Sequence, residues 1–213
     1  MPIYFNPASS DTPLTVDSIG NRWKQERIER PNGFPQYHWL QTERGAGEIT
    51  LCGKRLALPE GAGVMIAPFT PHLYRAAEGE WMTSFVTFTG RLAASIGMIV
   101  GEAPYILLRQ GEGRAIQAWI DEVMTRYEMQ RLDPYQLSLD CYRLLMDIHR
   151  TCEAQQDFSS PLYQQYVAPA MRLIETEYAQ DIDMARLSGS VYVSPQYLIR
   201  LFRRFLGCSP RRY

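Results

Sequence analysis

The chain lacks several features that would place it in a specialised class of proteins. Its four cysteines (Cys52, Cys141, Cys152 and Cys208) form no CxxC pair, so neither a disulfide framework nor a zinc site is indicated. No apolar run reaches the roughly 18 residues of a membrane helix. Residues 1–10 lack the basic and apolar segments of a secretory signal. We therefore expect a soluble, cytoplasmic protein with reduced thiols and no membrane contact.

Glycine is absent from one long part of the chain. Of the fifteen glycines among 213 residues, thirteen lie at or before Gly113 and none lies between Gly113 and Gly189. Turn-rich sequence thus gives way to sequence with few helix breakers. With 46% hydrophobic and 21% charged residues, the composition is that of a globular protein. We predict an α+β chain in which strands precede helices.

The first part contains short segments rich in aromatic and β-branched residues at intervals of about ten residues. This spacing is typical of a β-sandwich or barrel, and a small barrel can hold one ligand. We place the barrel at about residues 20–90. Its predicted strands are 36–42, 48–52, 56–58, 63–67 and 81–89.

Two amphipathic helices are predicted at about residues 113–152. The second begins at Pro134, behind an N-cap at Asp133. These helices either simply cover the barrel or use a surplus apolar stripe to contact a second subunit. The polar segment 155–165 is then a linker between a domain of residues 1–154 and a smaller unit of residues 166–213.

Charge is distributed unevenly along the chain. Residues 184–213 contain six arginines and no Asp, Glu or Lys, whereas residues 1–183 sum to −7. A basic end on an acidic body indicates a nucleic-acid contact, and a solvated surface is the alternative.

Before this basic end, Pro169 predicts the first turn of a helix that runs to about residue 178, and Asp183 predicts the cap of a short helix. Ser194 and Pro195 then predict a helix start and Gly207 a helix stop. Two short helices with a basic outer face on the second predict a helix-turn-helix.

Residues 187–213, LSGSVYVSPQYLIRLFRRFLGCSPRRY, resemble the first helix-turn-helix of the AraC family of bacterial transcription regulators. The residues that carry the resemblance occur in order and without a gap: Leu187, Ser194, Tyr197-Leu198, Leu201-Phe202-Arg203 and Gly207-x-Ser209-Pro210-x-x-Tyr213. Members of the family usually continue into a second helix-turn-helix, whereas this sequence ends at Tyr213. We therefore expect a truncated chain that holds half of a DNA-binding domain and binds specific DNA weakly.

By position, the resemblance implies base contacts by Gln196, Ile199 and Arg200. Gln and Arg suit the edges of adenine and guanine, whereas Ile199 offers only apolar contact, for example to a thymine methyl. Arg203 and Arg204 are predicted to contact phosphates, which adds affinity rather than sequence choice.

Residues 29–90 resemble the cupin-like effector domain of the family, in the form found in its arabinose regulators. The matching motifs are Glu29-Arg30-Pro31-x-Gly33 before Tyr37, Gly45-x-Gly47, Pro71-His72-x-Tyr74 and Trp81-x(6)-Phe88. The resemblance implies sugar contacts by Arg30, Tyr74, Thr83 and Phe85. The last two replace a histidine and a tryptophan of that group, which argues against arabinose itself. Trp39 is either a replacement stacking face or a core residue.

The sequence predicts a ligand-responsive, sequence-specific regulator of transcription. It implies a homodimer with a small-molecule effector, expected to be a sugar, in the barrel. In the complete protein, this homodimer is expected to bind double-stranded DNA. Residues 1–20, with three prolines and no clear periodicity, are either an arm over the ligand or an unstructured tail.

A metal-dependent cupin enzyme, an isomerase or oxygenase, is the alternative. Such a centre needs clustered imidazoles and a carboxylate, whereas the sequence has only His38, His72 and His149 and no HxH. No catalytic triad spacing and no glycine-rich phosphate loop is present. We therefore predict no catalytic residue, no metal site and no cofactor.

Overall fold

The computed structural model describes residues 3–6, 12–152, 160–177, 183–211 and 213. The chain divides into two compact units, the first holding the strands and α1 to α3 and the second α4 to α6. The strands are β1 Ile3–Phe5, β2 Thr15–Lys24, β3 Ile28–Arg30, β4 His38–Arg44, β5 Ala46–Leu51, β6 Lys54–Pro59, β7 Gly63–Ile66, β8 His72–Ala76, β9 Met82–Thr89 and β10 Tyr105–Leu108. The helices are α1 Ile96–Val100, α2 Arg114–Glu128, α3 Pro134–Cys152, α4 Ala168–Glu177, α5 Met184–Ser190 and α6 Pro195–Leu206.

The strands form two antiparallel sheets. The larger has the order β1-β2-β9-β4-β7-β10 and the smaller β3-β8-β5-β6. Because side chains alternate along a strand, each strand of the larger sheet presents two different faces. On β4, Trp39 belongs to a core shared with the helices, whereas His38 and Leu40 line a cavity.

The helices α2 and α3 cover one face of the larger sheet, as expected for a second layer on a hydrophobic sheet face. Ile120 of α2 and Leu145 of α3 are fully buried in the same cluster as Val16 and Phe88 of the sheet. The Asp133 carboxylate accepts a hydrogen bond from the Gln136 backbone N–H at 2.7 Å, which is the predicted N-cap of α3. Among the residues that the structure describes, no helix is both long and apolar enough to cross a bilayer.

The larger sheet extends beyond the predicted range 20–90. Three of its strands lie partly or wholly outside that range: β1, β2 and β10. The strand β2 shows no clean alternation because most of its side chains are buried and its register shifts between Gly20 and Trp23, where Arg22 has a φ of 51°. Within residues 1–20, residues 3–5 and 15–20 are paired strands and not an unstructured tail. Residues 7–11 lie outside the described part of the chain.

The second unit begins earlier than the sequence indicates. A π-helical turn at Tyr163–Val167 runs directly into α4, so Pro169 does not start a helix. Residues 161–165 of the expected linker are thus helical, while 155–159 and the expected end of α4 at residue 178 lie outside the described residues. The turn is held by Tyr163, which is fully buried against Phe205 with 5.5 Å between ring centroids.

Candidate functional site

A cavity of about 230 Å³ is lined by residues of both sheets. At roughly 30 Å³ per water molecule, it has room for a compact small molecule. Its wall combines aromatic and aliphatic side chains with a few polar groups, the composition typical of small-molecule sites. The lining residues are Ser18, Trp23, Gln25, Ile28, Arg30, Phe34, His38, Leu40, Tyr74, Phe85 and Thr87.

Three of the five predicted effector-binding residues, Arg30, Tyr74 and Phe85, line this cavity together. Thr83 lies behind the wall, where its hydroxyl donates a hydrogen bond to Gln25 Oε1 at 3.1 Å. Trp39 is fully buried in the core under the helices, and its indole N–H donates to Gln41 Oε1 at 3.2 Å. Thr83 therefore supports Gln25, which lines the cavity. Trp39 is a core residue, which was the second of the two alternatives that the sequence left open.

Arg30 is a half-buried cation on the cavity wall. Its guanidinium carbon lies 4.3 Å from the centroid of the Phe34 ring, which is a cation–π contact. No carboxylate of the described residues forms an ion pair with it. The adjacent Glu29 is exposed and pairs with Arg27.

Two buried histidines lie beside Arg30. The rings of His38 and His72 are 5.0 Å apart between centroids. The Thr70 carbonyl lies 2.7 Å from His72 Nδ1, so this nitrogen carries the proton and Nε2 has none. Neither ring nitrogen of His38 makes a well-formed hydrogen bond within the described residues, and the same holds for His72 Nε2.

Both imidazoles are neutral at pH 7. Burial lowers the pKa of His38 well below 6.5; His72 and the Arg30 charge lower it further, and the Gln36 backbone opposes the shift. Burial also lowers the pKa of His72 to about 4, with the Arg30 charge adding to the effect and the bond to Thr70 opposing it. In the described ranges, no three His, Cys, Asp or Glu side chains come together as a metal-ligand set.

The cavity residues that the sequence did not indicate come mainly from β2 and the segment after it. Ser18 and Trp23 belong to β2, which was not predicted, and Gln25 directly follows it, so no signal marked them. His38 was a different case, because its position one residue before Trp39 places it on the opposite face of β4. The alternation of side chains along β4 is therefore the sequence signal that could have placed His38 at the cavity.

In the second unit, the helix-turn-helix has the predicted local structure. The Asp183 carboxylate accepts from the Arg186 backbone N–H at 2.7 Å, and the Ser194 hydroxyl accepts from the Tyr197 backbone N–H at 3.3 Å. Gly207 ends α6 with a φ of 69°, in the left-handed region. The caps expected at these three residues are thus confirmed. The inner face of α6 is fully apolar: Leu198, Leu201, Phe202, Phe205 and Leu206.

The outer face of α6 is basic. Gln196, Arg200, Arg203 and Arg204 are exposed, and Ile199 is half-buried. The Arg200 guanidinium lies over the Tyr197 ring at 5.0 Å and that of Arg204 over the Phe205 ring at 5.2 Å. None of the three arginines pairs with a carboxylate in the described part of the chain. The face thus has unneutralised charge available to an anionic partner.

An exposed apolar stripe follows α3. Tyr135, Leu139, Tyr142 and Met146 are spaced four, three and four residues apart, which places them on one side of the helix. They are 76%, 67%, 54% and 38% exposed, so none of them contributes fully to the core beneath. The stripe therefore presents apolar side chains to solvent along one side of α3.

The two units match two family models. The AraC-like ligand binding domain matches residues 16–146, and the bacterial regulatory helix-turn-helix proteins of the AraC family match residues 174–213. Comparison with curated proteins gives no match.

Solved structures share the fold. The apo form of a ToxT variant from Vibrio cholerae strain SCE256 is 11% identical, with a TM-score of 0.55 over 96% of this chain and 79% of that one. ToxT from Vibrio cholerae O395 bound to (E)-4-(8-methylnaphthalen-1-yl)but-3-enoic acid is 10% identical, with a TM-score of 0.54 over 94% and 79%. The AraC-like transcriptional activator CuxR is 12% identical, with a TM-score of 0.51 over 94% and 79%.

These findings confirm the predicted fold class, a cupin-like barrel followed by helices and a helix-turn-helix unit. The model of the ligand-binding domain alone covers more than half of the chain. The protein therefore belongs to the AraC family and is a ligand-responsive, DNA-binding regulator of transcription.

Proposed function

We propose that this protein is a cytoplasmic, homodimeric regulator that responds to a sugar in the barrel cavity and binds double-stranded DNA through α6. The observation that carries the effector class is the chemistry of the cavity wall. Six lining side chains offer polar atoms that can bond hydroxyls: Ser18, Gln25, Arg30, His38, Tyr74 and Thr87. Aromatic rings of Trp23 and Phe85, 6.2 Å apart, provide apolar faces for the carbon skeleton.

A long-chain ligand fits this wall less well. ToxT from Vibrio cholerae has been solved with an unsaturated fatty acid bound. Ser18 and Thr87 already bond each other, and Gln25 bonds Thr83 and the Glu26 carbonyl. Burying an alkyl chain against the remaining polar groups, those of Arg30 and Tyr74, would leave them without partners, which costs free energy. A compact polyhydroxylated molecule of the size of the 230 Å³ cavity can satisfy them.

A thermal-shift screen tests the effector class. We expect a saturable rise in melting temperature with one or more pentoses or hexoses, because ligand at 100 times its Kd stabilises the native state by about 2.7 kcal/mol. A shift with fatty acids and with no sugar-derived compound would replace the proposed effector by a lipid.

The stripe on α3 supports the proposed dimer, because the same face of two copies can pack about a twofold axis. We expect Leu139→Asp to weaken dimerisation by roughly 10- to 100-fold, since burying a leucine contributes about 1.5–3 kcal/mol and a buried carboxylate opposes association. Sedimentation equilibrium measures this effect.

Met98, on α1 and 81% exposed, provides the matched control, and Met98→Asp should leave the dimer intact. A monomeric parent protein, or a dimer unaffected by Leu139→Asp, would rule out this interface.

The basic outer face of α6 supports the proposed DNA contact. We expect Arg200→Ala to cost about 1–3 kcal/mol and to relax one base position, because arginine forms paired hydrogen bonds to guanine.

Selection from random duplexes, followed by titration at several salt concentrations, measures both effects. Arg203→Ala is the comparison: it should weaken binding to all sequences equally and lower the salt slope by about one. An Arg200→Ala variant with the same uniform loss would assign Arg200 to a phosphate.

A further inference from the structure

The cavity wall carries a positive charge and no negative charge. Among its eleven lining residues there is no Asp or Glu, and Arg30 is the residue with a permanent charge. The nearest carboxylate in sequence, Glu29, alternates to the other side of β3 and is already paired with Arg27. The Phe34 ring covers one face of the Arg30 guanidinium. The N–H groups at the edge of the guanidinium have no anionic partner among the described residues.

A second side chain on the same wall is also incompletely satisfied. His38 is 5% exposed and lines the cavity, yet neither of its ring nitrogens makes a well-formed hydrogen bond within the described residues. Buried polar groups in folded proteins nearly always have partners, and the exceptions commonly mark binding sites. The Gln36 carbonyl interacts with the single N–H of the neutral imidazole, so a ligand hydroxyl in the cavity can donate to the other ring nitrogen.

We infer that the effector is an anionic sugar derivative, a sugar acid or a sugar phosphate, whose negative group pairs with Arg30 and one of whose hydroxyls donates a hydrogen bond to His38. This inference rests on the proposed sugar-responsive function and narrows its ligand class. The polyhydroxylated body of the ligand then lies against the polar wall formed by Ser18, Gln25 and Thr87.

A neutral sugar would leave the positive charge of Arg30 without an anionic partner. A hydroxyl is a weaker acceptor for a guanidinium than a carboxylate or phosphate, which can accept two parallel N–H bonds from arginine. The partly buried position of Arg30 reduces solvent screening of such a pair. The ligand's anion would supply the counter-charge that no described residue of the wall provides.

The test is calorimetric titration of the full chain with a panel of pentoses and hexoses, each as the neutral aldose, the sugar acid and the 1-phosphate. We expect the best charged member to bind at least tenfold more tightly than its neutral parent. The acid and phosphate arms distinguish the two sources of the anion.

Two variants show whether Arg30 causes the preference. Arg30→Gln should abolish the preference for the charged member while retaining binding of the neutral parent, and Arg30→Lys should keep part of it. Arg27→Gln, which removes an exposed arginine from the same segment, is the matched control and should change nothing. Equal melting temperatures of the unliganded proteins establish that each variant is folded.

The outcomes separate this inference from the proposed function. Binding of a neutral sugar as tightly as its acid and phosphate would overturn the anionic ligand and leave the sugar-responsive regulator intact. A charge preference that survives Arg30→Gln would overturn the role of Arg30. Failure of the whole panel to bind would overturn both proposals together.

Discussion

Phe202→Ala should unfold the C-terminal unit and leave the barrel folded. Phe202 is fully buried on the inner face of α6, and its ring lies 6.2 Å from that of Tyr213 in an edge-to-face contact. Truncating a buried phenylalanine costs about 3–5 kcal/mol. A helical unit of this size has little stability in reserve, because small domains bury a smaller share of their surface.

Hydrogen exchange measured segment by segment reveals the effect. Protection should fall in α4, α5 and α6, while the strands of the larger sheet retain theirs. DNA binding should be lost, and the melting shift caused by a cavity ligand should persist. The prediction thus separates ligand binding from DNA binding within one chain.

Tyr192→Ala is the matched control within the same unit. Its side chain is 95% exposed, and surface substitutions usually change stability by less than about 0.5 kcal/mol. If Phe202→Ala instead removed protection from the sheet as well, the two units would unfold as one, and separate folding would be refuted.

The helix-turn-helix was predictable residue by residue because its signals are local. The capping residues Asp183, Ser194 and Gly207 act within a few positions of themselves, and the apolar spacing of α6 depends on one helix alone. The upstream boundary was less predictable, since Pro169 is compatible with a helix start but a π-helical turn precedes it. Burial of Tyr163 in the core of the unit stabilises that turn.

The effector cavity was only partly predictable, because its wall depends on pairing between distant strands. The bulge in β2 breaks the alternation that would have marked Ser18 and Trp23. Arg30, Tyr74 and Phe85 were found by resemblance, which transfers positions without a need for strand register. His38 and Trp39 show the limit of that approach. Trp39 was considered as a ligand contact because its large ring could stack on a sugar, but it lies in the core, and the adjacent His38 faces the cavity.

Acid should destabilise the barrel more steeply than its carboxylates alone would predict. His72 has a pKa of about 4 in the folded protein and about 6.5 when unfolded, so the unfolded chain binds its proton first as the pH falls. The unfolding free energy is therefore highest above pH 6.5 and decreases between pH 6.5 and 4, by about 3 kcal/mol for this residue. His38, whose pKa is also lowered, acts in the same direction.

Urea denaturation of the barrel at several pH values between 7.5 and 5 measures the effect, because carboxyl groups titrate mostly below this window. We expect a loss of about 2 kcal/mol from His72 alone across it. His72→Asn keeps a donor for the Thr70 carbonyl but has no titrating group, so its profile should be shallower by nearly one proton. Identical slopes for the parent and His72→Asn would show that His72 becomes protonated in the folded barrel as readily as in the unfolded chain.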